Sequence, residues 1–143
     1  MTLGRILAID YGTKRTGIAV TDPLRIIPGG IGTVATHELL KFLADYVGRE
    51  QVDIIVVGYP TNMNGEDSAS MKQIRPFTEK LKKLYPDKDI VMFDERFTSV
   101  MAQRAILESG IGRMARRNKA LVDEVSATII LESFMDSKQY KEI

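Results

Sequence analysis

The chain has 143 residues, a length that fits one domain with an adequate hydrophobic core. Apolar residues make up 44% of it and the formal net charge is +1, values typical of a soluble globular protein and not of a disordered one. With no cysteine and a single histidine, the chain has no disulfide, no thiolate or multi-histidine metal site and no cysteine nucleophile.

Neither a membrane span nor a signal peptide is expected. No apolar run approaches the roughly 20 residues that a span needs. The first predicted strand follows Met1 almost at once, which leaves no room for a signal peptide. We therefore expect a cytoplasmic protein without membrane contact. Residues 1–143 are expected to form one domain, with residues 136–143 as a frayed tail.

The first predicted element is an apolar strand, Arg5–Ile9, which runs into Asp10, a short loop and a returning strand. The first strand is apolar on both pleat faces after Arg5, as expected of a central strand covered on both sides. A carboxylate at the end of such a strand is costly unless something pairs with it. Gly12 and Gly17 bracket a turn that suits positive φ or close backbone approach to a ligand. The alternative is an aspartate that only caps a hairpin turn.

The next elements are a third strand and a first helix. Residues 22–30 are rich in proline and glycine, which predicts a connection, and Gly30–Thr36 is expected to form a short strand. Thr36 suits the N-cap of a helix from His37 to about Glu50, which carries an apolar stripe at helical spacing.

A β-branched run, Asp53–Val57, gives the strongest strand signal and leads into a polar loop, Gly58–Ser68. Helical periodicity then resumes at Met71, Ile74, Phe77 or Thr78, Leu81 and Leu84. Pro76 falls within that pattern. It predicts either a kink or a helix whose regular part begins at Arg75.

The last third of the chain begins with a strand, Asp89–Phe93, which ends in Asp94-Glu95-Arg96. A helix from Thr98 to about Ser109 is expected to stop at Gly110. The segment from Ile111 to Asn118 is basic and is expected to be mobile, and a final helix spans roughly Ala120–Met135. Between positions 96 and 119, six cations stand against one acid, which indicates a local basic patch. That patch is either a solvated face or a contact for a phosphate backbone.

This order predicts an α/β fold with a five-stranded mixed sheet flanked by helices. Three consecutive strands with short links favour an antiparallel meander. The two later strands, each preceded by a helix, should join parallel to the first through right-handed crossovers. Ligands in such sheets collect outside the carboxyl ends of the parallel strands. Asp10, the Gly58–Ser68 loop and the Asp94-Glu95 pair all fall at that edge.

The final helix contains a carboxylate on its apolar side. Asp123, Ala127, Ile130 and Phe134 share one helix face. Asp123 is either a helix-dipole aspartate or a carboxylate aimed at the edge that carries Asp10. Converging carboxylates repel one another unless a cation lies between them, and an all-oxygen site suits Mg²⁺ or Mn²⁺. Two such ions about 3.5–4 Å apart can clamp the attacking and leaving oxygens of a phosphodiester. Pleat alternation leaves open whether Asp94 or Glu95 is the ligand.

Four motifs in the right order resemble the YqgF/RuvX family, whose members have a ribonuclease H-like fold. They are Ala8-Ile9-Asp10-Tyr11-Gly12 with Arg15-x-Gly17-Ile18-Ala19, then Gly58-x-Pro60-x-Asn62-x-x-Gly65, then Asp94-Glu95-Arg96-Phe97-Thr98, then Lys119 with Val122-Asp123. The resemblance spans Arg5 to about Phe134. It implies a nuclease that processes the precursor of small-subunit ribosomal RNA, with Holliday-junction resolution as the runner-up.

By this resemblance the catalytic and metal-binding acids would be Asp10, Glu95 and Asp123. The expected substrate contacts are a larger set drawn from the loop after Asp10, the polar loop and the basic stretch: Gly12, Lys14, Arg15, Gly58, Asn62, Gly65, Arg96, Arg116, Arg117 and Lys119. The chain departs from the family pattern at Tyr59, more often leucine, at Ser126, more often alanine, and at Pro76, which interrupts a helix that is usually continuous.

The expected partner is nucleic acid, structured RNA before a DNA junction, and the expected state is a monomer or weak homodimer. A rival from another class is a nucleic-acid-binding assembly factor that has a nuclease fold but little activity. A third reading is an actin-like ATPase or sugar kinase, since Asp-x-Gly-Thr also opens their phosphate hairpins. Those proteins bind nucleotide between two lobes, and 143 residues supply one.

Overall fold

The computed structural model describes residues 4–59, 71–94 and 119–137. These residues form five strands, a single 3-10 turn and three α-helices. In chain order they are β1 (Arg5–Asp10), β2 (Arg15–Thr21), β3 (Pro28–Ala35), the 3-10 turn Thr36–Glu38, α1 (Leu39–Arg49), β4 (Val52–Tyr59), α2 (Met71–Leu84), β5 (Asp89–Asp94) and α3 (Lys119–Met135).

The strands form one mixed sheet in the order β3-β2-β1-β4-β5. β1 pairs antiparallel with β2, and β2 antiparallel with β3, because short connections allow only neighbouring hairpins. β4 pairs parallel with β1 on its other side, and β5 parallel with β4. This confirms the predicted meander with two parallel strands added, and it makes β1 the central strand.

Side chains alternate between the two faces of the sheet and build a core on each. One core, here the α1–α2 face, joins strand residues such as Leu7, Ile9 and Val57 to α1 and α2. The other, here the α3 face, joins strand residues such as Ala8 and Val56 to Ala127, Ile130, Leu131 and Phe134 of α3. Because β1 and β4 are covered on both faces, their sequences are apolar at nearly every position.

Several element ends differ from the sequence expectation. β3 begins at Pro28, inside the predicted connection, since proline lacks only an N–H and is tolerated in an edge strand. The regular part of the first helix begins at Leu39, after the 3-10 turn, and not at His37. β4 continues through Gly58 and Tyr59, so the first two residues of the predicted polar loop belong to the sheet.

Pro76 lies inside α2, which runs from Met71 to Leu84, so of the two predicted alternatives the one in which the regular helix begins at Arg75 was wrong. The ring sits on the exposed side of the helix. The opposite side buries Met71, Ile74, Thr78 and Leu81 against the sheet. Burial of that apolar stripe offsets the hydrogen bond that proline removes.

The predicted tail begins as an extension of α3. The N–H groups of Asp136 and Ser137 donate to Glu132 and Phe134 carbonyls at 3.2 and 3.0 Å. Residues 138–143 lie outside the described part of the chain, as does the predicted Thr98–Ser109 helix. In the three described ranges, no helix combines the length and apolarity needed to cross a membrane.

Candidate functional site

Asp10 ends the central strand at the carboxyl edge of the sheet, half-buried. It shares the pleat phase of Ile6 and Ala8, which pack under α3, so its carboxylate belongs to the α3 face. Its cross-strand partners are both glycines, Gly17 in β2 and Gly58 in β4. Neither partner places a side chain of its own beside this carboxylate, and a glycine in a strand is typical of a close approach by a ligand or a backbone.

The loop that follows Asp10 is tightly constrained. A Cβ at Gly12 would overlap the backbone carbonyl of Arg15, so the turn admits glycine alone. Lys14 is exposed and Arg15 is half-buried at the start of β2. Two predicted cations thus lie within five residues of the carboxylate, on a loop with a fixed path.

Thr36 holds this loop from the far end of β3. Its backbone N–H donates to the Lys14 carbonyl at 3.0 Å, and its hydroxyl donates to the Gly12 carbonyl at 2.6 Å. The hydroxyl also lies 2.9 Å from Oγ1 of the buried Thr16. The predicted N-cap role of Thr36 was wrong, because it makes no cap and instead positions the segment that carries Asp10.

Sequence reasoning missed Thr36 and Thr16 as positioning residues. Their partners lie 20 and 24 residues apart along the chain, and only the pairing of β2 with β3 brings them together. The one sequence signal was a threonine near the start of the second predicted strand and another at the end of the third, which is too common to identify a contact.

Asp94 is the other described acid at this edge, and it lies on the opposite face of the sheet from Asp10. It shares the phase of Ile90 and Met92, which pack on the α1–α2 face. Val91 and Phe93 point to the α3 face. Glu95 itself lies outside the described residues, so its distance from Asp10 stays a prediction.

The backbone of Asp123 lies in the second turn of α3, while its side chain falls outside what the structure describes. The predicted apolar stripe is confirmed one, two and three turns later, since Ala127, Ile130 and Phe134 are completely buried. Helical spacing puts Asp123 on the same stripe as those three residues.

The convergence of three acids is thus neither confirmed nor contradicted. Within residues 4–59, 71–94 and 119–137, no three potential ligands lie close enough together to hold a metal ion. The side chains of Glu95 and Asp123 lie outside the part of the chain that the structure describes, so their meeting with Asp10 stays a prediction. Of the expected substrate contacts, Gly58 lies in β4 and Lys119 begins α3. Five further expected contacts lie outside the described ranges: Asn62, Gly65, Arg96, Arg116 and Arg117.

The chain as a whole is similar to several known proteins. A family model described as "RuvX: Holliday junction resolvase" matches residues 4–137. A protein of Porphyromonas gingivalis is 65% identical over 135 residues, which cover 94% of this chain and 98% of the relative. A protein of Bacteroides thetaiotaomicron is 54% identical over 138 residues, covering 96% and 100%. Both carry the name "Putative pre-16S rRNA nuclease".

Among solved structures, Pelota of Archaeoglobus fulgidus matches with a TM-score of 0.46 and 13% identity. The match covers 98% of this chain but 38% of Pelota. The mixed sheet, with its meander followed by two parallel strands and helices on both faces, is the ribonuclease H-like arrangement of the matching family.

Proposed function

The chain belongs to the RuvX family, and from that premise we propose that it is a nuclease that hydrolyses phosphodiester bonds in nucleic acid. The observation that carries the proposal is the position of Asp10. It ends the central strand between two glycines, at the edge where ligands of parallel sheets collect. A strand-end carboxylate whose two cross-strand partners carry no side chain suits a phosphate that approaches together with a cation.

The substrate we propose is a precursor of small-subunit ribosomal RNA. Its support is the name shared by relatives that are 54 to 65% identical and nearly equal in length. Cleavage of a DNA junction is the second candidate, favoured by the description of the family model. Ribosomal RNA processing would place the protein in the cytoplasm, as a monomer or weak homodimer. Junction resolution would require two coordinated active sites and hence a dimer.

Asp10, Glu95 and Asp123 are the proposed catalytic acids. Strand alternation supports Glu95 over its neighbour, because Asp94 lies on the α1–α2 face, away from Asp10. One further residue of the same alternation would return the chain to the α3 face. The proposed acid is therefore the first one after β5 whose expected phase matches that of Asp10.

The course of α3 supports Asp123. The helix contacts β1, β2, β3 and β4, and the Phe134 ring packs edge-on against Phe93 of β5 with centroids 6.1 Å apart. It therefore crosses the strands and does not follow one of them. Asp123 precedes Phe134 by three turns, about 16 Å of helix. Since β1 lies two strand spacings, about 10 Å, from β5, that length reaches back to β1, the strand that ends in Asp10.

The donor chemistry of the proposed site fits a hard divalent cation. The chain has no cysteine, and its one histidine, His37, is exposed on the 3-10 turn, so carboxylate oxygens are the available anionic ligands. Asp10, Glu95 and Asp123 would hold Mg²⁺ or Mn²⁺, which supplies charge neutralisation and an activated water when bound. The chain's own part is to keep three like charges at a spacing that a cation stabilises.

Several basic and small residues would hold the nucleic-acid backbone. Lys14 and Arg15 flank the constrained loop, and Gly58 leaves the neighbouring strand without a side chain. We assign to the same task the remaining expected contacts of the basic stretch and loops: Gly12, Asn62, Gly65, Arg96, Arg116, Arg117 and Lys119. Such contacts position a phosphate backbone without reading its sequence.

The test is cleavage of a precursor ribosomal RNA fragment with Mg²⁺ or Mn²⁺ by wild type, Asp10→Asn and a matched control, Asp89→Asn. Asp89 is an exposed aspartate at the opposite end of β5. Loss of a metal ligand should slow cleavage at least about a hundredfold, since the ion supplies several kcal/mol of charge stabilisation. Asp89→Asn should cleave like wild type. Equal rates for all three proteins would remove the catalytic assignment.

Calorimetric titration with Mg²⁺ or Mn²⁺ separates the nuclease from a binding or assembly factor. A nuclease should bind the ion in wild type and lose that heat in Asp10→Asn. RNA binding without metal-linked heat and without cleavage would favour the assembly factor.

A further inference from the structure

A groove opens on the α1–α2 face at the carboxyl ends of β4 and β5. Its volume is about 520 Å³, and it is lined by Tyr59, Met71, Arg75, Glu79 and Met92. This size lies within the range of small-ligand sites. Neither the proposed catalytic acids nor the expected substrate contacts include any of these side chains.

The groove lies just across the sheet edge from Asp10. Asp10 pairs with Gly58, and Tyr59 is the next residue of β4. Sheet geometry puts the Cα atoms of Asp10 and Tyr59 about 6 Å apart. Tyr59 packs with the α1–α2 face, while Asp10 belongs to the α3 face. A chain that passes over this edge can therefore have one unit beside Asp10 and its neighbour in the groove.

The lining combines an aromatic ring, an apolar floor and a pair of opposite charges. Tyr59 is half-exposed, Met71 is buried and Met92 is partly buried. Arg75 and Glu79 are exposed and four residues apart on α2, so they share one side of the helix. A purely aliphatic ligand would contact the methionines but would make no use of the charges on Arg75 and Glu79.

A nucleobase uses every one of these features. Its π-face stacks on tyrosine whatever the sequence, and arginine adds a cation–π or phosphate contact. Its N–H groups donate to a carboxylate, as amino groups of bases do to glutamate in protein–DNA complexes. Guanine offers two adjacent donors, N1–H and the N2 amino group, which match the two oxygens of one carboxylate.

We propose that this groove binds one unpaired nucleobase of the RNA strand whose neighbouring phosphate lies at Asp10. The proposal rests on the proposed function. Tyr59 stacks on the base, Glu79 accepts from its N–H groups, and Arg75 binds the phosphate that leads into the groove. Because a base inside a duplex cannot reach the far side of the sheet edge, the substrate must be unpaired next to the cut.

The experiment measures binding in EDTA, where cleavage does not intervene. Short single-stranded oligoribonucleotides carry 2-aminopurine, G, A, C, U or an abasic unit at one internal position. Stacking on Tyr59 should quench 2-aminopurine fluorescence. Tyr59→Leu should abolish the quench and weaken binding about tenfold, because base–aromatic stacking is worth about 1–3 kcal/mol per base. Tyr59→Phe should retain both, and G should bind most tightly.

Two further variants keep the test interpretable. Tyr85→Leu makes the same chemical change just beyond the end of α2, on a residue that packs on the same core, and should bind like wild type. Arg75→Ala alters an exposed helix position, where alanine is the best helix former, so it should fold and weaken binding severalfold. An abasic unit should lower wild-type affinity but not that of Tyr59→Leu.

Unchanged quenching and affinity in both Tyr59→Leu and Arg75→Ala would overturn the proposal that the groove binds a base. Equal loss in Tyr85→Leu would also overturn it, since the effect would then follow from the core. A base-dependent quench in a protein that fails to cleave RNA would support the groove while removing the nuclease proposal. If an abasic unit at each position next to the cut left the cleavage rate unchanged, the nuclease proposal would stand and the proposal that the groove binds a base would be overturned.

Discussion

Replacing Thr36 by valine would remove the hydroxyl that fixes the loop after Asp10 while keeping the shape of the side chain. That hydroxyl has one proton, which it gives to the Gly12 carbonyl at 2.6 Å. The Thr16 hydroxyl, 2.9 Å away, must therefore be the donor to Thr36. Valine breaks both bonds at once.

The cost follows from what is left without a partner. The Thr16 side chain is completely buried, so its hydroxyl would lose its hydrogen bond with no water to replace it. Such an orphan costs about 1–3 kcal/mol, and the part-exposed Gly12 carbonyl adds about 1 kcal/mol. We expect Thr36→Val to lower the free energy of unfolding by about 2–4 kcal/mol. Thr16→Val should cost about 1 kcal/mol, and the double variant no more than Thr36→Val alone.

Urea unfolding at constant slope measures these changes, and the cleavage assay measures their effect on the site. Thr36→Val should slow cleavage by folded protein, since the loop between Asp10 and Arg15 loses its support. Thr21→Val is the control, because that buried hydroxyl accepts the Ile6 N–H at 3.0 Å at the opposite end of the sheet. It should lower stability without slowing cleavage. Wild-type stability in Thr36→Val, or strictly additive costs in the double variant, would refute the reasoning.

Three other changes test the described structure. Pro76→Ala should raise the free energy of unfolding by about 2 kcal/mol in thermal or urea unfolding. Proline destabilises a helix interior by about 3 kcal/mol, but it stabilises the folded state by up to about 1 kcal/mol because it restricts the unfolded chain. An unchanged midpoint would mean that the helix is broken there. Gly12→Ala should cut cleavage at least about tenfold while the protein stays folded by circular dichroism, since its Cβ meets the Arg15 carbonyl; wild-type rates would contradict this. The N–H of Ile27 donates to Asp22 and holds the pKa of Asp22 below its ordinary 3.8. The hydrogen bonds to Asp22 should thus stabilise the turn fully above pH 3.8 and be lost as acid protonates the carboxylate. The amide chemical shift of Ile27 should follow this transition, and Asp22→Asn should abolish it. A transition that persisted in Asp22→Asn would contradict the assignment.

The central strands and their order could be predicted from sequence because burial dictates both. The runs Arg5–Ile9 and Asp53–Val57 are apolar at every position after the first, as expected of a strand covered on both faces. Short links then force the meander, and intervening helices force the parallel pairs. These constraints act locally or through chain connectivity, so the sequence alone displays them.

The features that shape the site depend on register, which the sequence does not display. That Asp10 has Gly17 and Gly58 as cross-strand neighbours follows from the pairing of three strands. The face of Asp94 likewise follows from the cores on which Ile90 and Phe93 pack. Pleat alternation separates neighbours along a strand, but it cannot say which neighbour faces which core until the sheet is assembled.

The sheet edge explains why a catalytic carboxylate and a base-binding ring can be neighbours without competing. Gly58 shares the row and the face of Asp10, and Tyr59, one residue later, faces the other way. A phosphate can thus lie beside Asp10 on one face while a base crosses to the ring on the opposite side. A tyrosine at position 58 would put its ring on the face of Asp10, and a glycine at position 59 would leave the groove without its ring. The order Gly58-Tyr59 therefore separates the proposed chemistry from the proposed binding by a single step of the pleat.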